Sequence, residues 1–71
     1  MTTNVYEFRV AGQLSDQARE AFCDLCIEEL SEGTRLYGDV IDESHLLGIM
    51  AQFLALGLTV VSAHRISSDA L

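Results

Sequence analysis

The sequence predicts an α+β domain in which a four-stranded antiparallel sheet carries two helices on one face, the ferredoxin-like β-α-β-β-α-β order. Three observations predict it. Val5 to Val10 alternates, with Tyr6, Phe8 and Val10 on one side and Val5, Glu7 and Arg9 on the other, as a half-buried strand does. The stretch from Asp42 to Ile66 reads as a capped amphipathic helix, a glycine stop and an apolar strand. Between them, Leu25 to Leu30 and Thr34 to Gly38 flank Ser31-Glu32-Gly33, which reads as a hairpin with glycine in its loop.

Each element has a local reason. Ser15 is placed to cap a short first helix that turns Ala18, Ala21, Phe22 and Leu25 inward. Extending that helix to Leu30 would set Glu29 in the middle of its apolar arc, which a buried stripe disfavours. The alternative architecture, βαβαβ with one long first helix, accepts that conflict. In the second helix Asp42 is the cap and Ile41 is set to staple onto Leu46. Leu46, Leu47, Ile49, Met50, Phe53, Leu54 and Leu56 fall on one half of the helical wheel and are expected to face the core. Gly57 supplies the left-handed stop, with Leu58 placed to touch Phe53.

The chain has 71 residues, enough for one domain over 1–71, with residues 67–71 expected as a loose C-terminal tail. A domain of this size buries only roughly 60% of its unfolded surface, so a partner would help to stabilise it. Hydrophobic residues make up 49% of it, too many for a disordered chain. Eleven acidic residues oppose four arginines and no lysine, a formal charge of −7. A phosphate backbone or an anionic bilayer would be repelled, so neither nucleic acid nor membrane is expected as a partner. The N-terminus lacks the basic and apolar regions of a signal peptide. A cytoplasmic protein is the expectation.

The residues Asp42-x-x-x-Leu46-x-Gly48-Ile49-Met50-Ala51 and Leu56-Gly57-Leu58-Thr59-Val60-Val61-Ser62 resemble the C-terminal half of a group of small bacterial proteins of no assigned function. Tyr6-x-Phe8-x-Val10-x-Gly12-x-Leu14 and the Gly33 turn are similar to their N-terminal halves. The shared residues are core and cap positions, so the resemblance implies the fold and carries over no activity, cofactor or site residue.

Reactive groupings are sparse. Cys23-Asp24-Leu25-Cys26 has the spacing of a redox or metal half-site, but it follows a helix and sits beside Asp24, Glu28 and Glu29, which disfavour a thiolate. Two mostly buried thiols are expected instead, and neither a metal nor another cofactor. His45 falls in the first turn of the second helix. Ser62 and His64 share a strand face, yet no carboxylate is evidently grouped with them. The acidic residues from Asp24 to Glu43 lack calcium-loop order and read as a solvated rim, or as a docking surface for a basic protein partner. No catalytic set emerges, and a non-enzymatic role is the expectation.

Two surfaces invite a partner. Arg9, Arg35 and Arg65 alternate onto the face expected to be uncovered, so Arg35, Arg65 and Tyr37 form a candidate anion site; cross-strand pairing with Glu7, Glu28 or Asp39 is the plainer reading. On the back of the second helix Ser44, Gly48, Ala51 and Ala55 line up, and Ser44 to His64 carries no formal charge. With Val61 on a sticky edge strand, these residues are the expected contact of a homo-oligomer. The function expected is a small homo-oligomeric interaction or regulatory module holding a ligand between subunits. An accessory subunit of a larger protein and a small dimeric enzyme with a histidine base are the alternatives.

Overall fold

The computed structural model describes residues 4–68. Its elements are β1 (Asn4–Ala11), α1 (Asp16–Ala21), β2 (Cys26–Leu30), β3 (Gly33–Val40), α2 (Glu43–Ala55) and β4 (Val60–Ser68). They form an α+β domain with one four-stranded sheet in the order β2-β3-β1-β4, every neighbouring pair antiparallel. β1 and β2 therefore run parallel with β3 between them, and β3 and β4 run parallel with β1 between them. The alternative with one long first helix is excluded, because α1 stops at Ala21 and Cys26–Leu30 pairs with β3. The conflict over Glu29 is resolved by the strand, from which Glu29 reaches Arg19 of α1 as an ion pair.

The core lies on the Phe8 side of the sheet. Phe8, Val10, Leu36 and Val40 meet Ala18 and Phe22 at α1 and Ile49 and Phe53 from α2. Phe53 joins the layers: its ring centroid is 5.4 Å from that of Phe8 and 4.7 Å from that of Phe22. Both helices thus cover the same face.

The caps of α2 follow the sequence closely. Asp42 Oδ1 accepts from the His45 N–H at 2.9 Å. Gly57 takes φ +74°, the Leu58 N–H reaches the Phe53 carbonyl at 2.9 Å, and the Gly57 N–H reaches that of Leu54 at 3.0 Å. That pair of bonds is the Schellman stop.

Three expectations about this half of the chain are corrected. Ile41 is 64% exposed and forms no staple; its N–H donates to His45 Nδ1 at 3.0 Å instead. Leu47 and Leu54 are 67% and 74% exposed rather than in the core. They lie about 150° round the helix from Ile49 at ~100° per residue, and a single sheet covers only the arc of Leu46, Ile49, Met50, Phe53 and Leu56. Finally, β4 includes residues 67 and 68 of the expected tail, and residues 69–71 lie outside those described.

Candidate functional site on the uncovered sheet face

The face of the sheet turned away from the helices carries Val5, Glu7 and Arg9 of β1. Register places Arg9 opposite Arg35 and Ser62, and Glu7 opposite Tyr37 and His64. Cys26 and Glu28 of β2 continue these two rows, opposite Tyr37 and Arg35. The result is a patch of arginine, histidine and carboxylate built by strand alternation on a central strand.

Glu7 is its centre. Although no helix covers this face, Glu7 is only 6% exposed. An ionised carboxylate so placed needs compensation, and it has three neighbours. Arg35 Nε donates to Oε2. Arg9 Nε and His64 Nε2 approach Oε1 at 3.5 and 3.4 Å. The hydrogen bond from Arg35 holds the Glu7 carboxyl below the usual carboxylate range; burial opposes this, and the charges of Arg35, Arg9 and His64 assist it. Arg35 is raised above its ordinary value, chiefly by the same hydrogen bond. Its guanidinium also lies 4.3 Å from the centroid of the Tyr37 ring and reaches Glu28 Oε1 at 3.3 Å.

A cavity of about 180 Å³ opens beside this cluster, at the end of the sheet where β2 turns into β3. Arg9 and Glu32 contribute charge to its wall, Leu30 and Val61 apolar surface, and Val10, Gly33 and Thr34 complete it, the Thr34 hydroxyl donating to the Gly12 carbonyl at 2.8 Å. Two local features shape it. The pairing of β1 with β4 slips between Arg9 and Val10, so Val61 is the extra residue of a bulge and stands 67% exposed; bulges commonly re-aim side chains in this way. At Gly33 an added Cβ would lie 2.5 Å from the Val10 carbonyl oxygen, so no side chain fits there.

The structure separates the residues of the expected anion site. Arg35 and Tyr37 are together, but Arg35 is engaged by Glu7 and Glu28, the plainer reading. Arg65 pairs with Tyr6, on the side that the helices cover, because the bulge at Val61 shifts the alternation by one residue and puts Ser62 and His64 on the uncovered face. Arg9 takes its place on the uncovered face. Ser44, Gly48, Ala51 and Ala55 are all exposed along α2, and the exposed Leu47 and Leu54 border them; Val61, exposed on the edge strand β4, also lines the cavity.

The cysteines are corrected as well. Cys23 and Cys26 are free and exposed, since α1 ends before them and Cys26 falls on the uncovered face. Among the described residues no three His, Cys, Asp or Glu side chains are grouped to hold a metal ion. His64, expected to lack a carboxylate, has Glu7, but its side chain is 55% exposed and it does not line the cavity. Reading the sequence alone missed the burial of Glu7; the signal available was an acid flanked by Val5 and Arg9 on the outer side of the first strand.

Fold and site together define a small α+β domain with a charged sheet face and an apolar helix face. The chain belongs to the family described as Domain of unknown function (DUF8691), which it matches over residues 5–64, from β1 to His64 in β4. No curated protein and no solved structure matches it. No helix among the described residues is long and apolar enough to cross a membrane.

Proposed function

We propose that this protein is a small ferredoxin-like interaction module that works as a homo-oligomer through the outer face of α2, without catalysis of its own. The observation that carries this reading is the pair of exposed leucines, Leu47 and Leu54, beside the small residues Ser44, Gly48, Ala51 and Ala55. Large apolar side chains next to small ones let another backbone approach and still leave area to bury. Charge argues for a second copy. Two chains of formal charge −7 repel least when they meet through an uncharged surface, and Ser44 to His64 holds no formal charge. A basic partner would be drawn to the acidic rim instead. The ferredoxin-like assignment is supported by the two split β-α-β units, each with its outer strands parallel around an antiparallel third.

Solution mass by size exclusion with light scattering, over a dilution series, tests this reading. A dimer or larger species is expected, and Leu47→Glu with Leu54→Glu should give a monomer whose circular dichroism is unchanged. A monomeric native protein would overturn the reading, and an unchanged mass for the double variant would move the contact elsewhere.

A further inference from the structure

We propose that the cavity beside Arg9 binds a small zwitterion with a short apolar side chain, an aliphatic amino acid. Three observations converge on that chemistry. First, the wall carries one cation and one anion, Arg9 and Glu32, and no ion pair joins them among the described residues. A free carboxylate would meet Glu32 and a simple amine would meet Arg9, whereas a molecule bearing both charges answers both. Second, Leu30 and the bulged Val61 offer apolar surface in the same wall. Third, a volume of about 180 Å³ holds roughly six waters at ~30 Å³ each, the scale of a short amino acid rather than a nucleotide.

The Glu7 cluster gives Arg9 a positioned role. Glu7 Oε1 faces Arg9 Nε at 3.5 Å, and the Arg9 side chain remains 52% exposed. Anchoring one edge of a guanidinium while its other nitrogens stay accessible lowers the entropy cost of receiving a carboxylate. Gly33 adds close backbone approach, since no side chain stands between the cavity and β1. The cavity is on the face opposite the helices, so this inference stands apart from self-association through α2.

The test is a titration of the uniformly ¹⁵N-labelled protein with L-valine, following the amides of Gly33, Thr34 and Val61 and the Nε–H of Arg9. Saturable shifts at these groups are expected. 3-Methylbutanoate, which lacks the ammonium, and 2-methylpropylamine, which lacks the carboxylate, should each bind at least about tenfold more weakly, because one charged contact is lost. Glu32 is exposed in the β2–β3 turn, so Glu32→Gln should leave the spectrum of the free protein intact while removing the preference for valine over 3-methylbutanoate. Arg9→Gln should abolish the valine response. Absence of saturable shifts with valine would overturn the proposal. Equal binding of valine and 3-methylbutanoate would overturn it too, since the cavity would then be a plain anion site.

Discussion

The two sides of β1 bury their residues by different means. On one side Phe8 is 0% exposed beneath two helices; on the other, a single residue away, Glu7 is 6% exposed with no helix above it. The first kind of burial removes apolar surface from water and needs no direction. The second is made by neighbouring side chains, Arg35, Arg9, His64 and Tyr37, and depends on hydrogen-bond geometry and charge. Apolar packing therefore holds the fold, and the charged face is a surface organised on top of it. A central strand can serve both purposes only because its side chains alternate.

That division can be broken first at Phe53. Phe53→Ala should destabilise the domain by about 3–5 kcal/mol, since the ring touches both Phe8 and Phe22. A domain of 71 residues has only about 4–11 kcal/mol in total at 0.05–0.15 per residue, so urea denaturation should find this variant at or near unfolding. Retention of most of the native midpoint would mean that the helices contribute less than the sheet.

The charged face should respond to pH instead. Folded Glu7 has a lowered pKa, so the unfolded chain binds its proton more readily. The stability it contributes is full above the ordinary carboxylate value, near ~4.3, and is lost as pH falls through the lower folded value. Thermal midpoints should thus drop on acidification below about pH 4, and Glu7→Gln should flatten that slope. At neutral pH the variant should be less stable than the native protein but more stable than Phe53→Ala. A pH profile identical to that of the native protein would show that the pKa of Glu7 does not change on folding.

The smallest of these effects is expected at the end of α2. Gly57→Val should cost about 1–2 kcal/mol, because a β-branched residue at φ +74° is strained even though nothing lies within 4 Å of its Cβ. Gly57→Asn should recover part of the loss, and equal midpoints for the two variants would place the cost in something other than backbone strain.

Much of the fold was legible because it is written in local chemistry. Ser15 and Asp42 cap the helices as their side chains dictate, and Gly57 stops α2. The alternation of β1 and the Gly33 turn define the hairpin and the first strand without reference to the rest of the chain. Leu47 and Leu54 stand exposed because periodicity gives a hydrophobic arc but not how much of it a sheet will cover. The candidate site was legible in part. Arg35 and Tyr37 fall together as alternation requires, while Arg65 left the group through an irregularity in β4 that no residue pattern announces.

By itself, then, the sequence determined the helix caps, the glycine turns and which side of β1 is apolar, since caps, turns and alternation act within a few residues of one another. Tertiary structure decided the rest. Only the pairing of β4 with β1 brings His64 to Glu7 and replaces Arg65 by Arg9, and only the bulge at Val61 turns that residue to the cavity. The physical reason is that register between strands distant in the chain is fixed by the packing of the whole sheet, and a one-residue slip exchanges its faces.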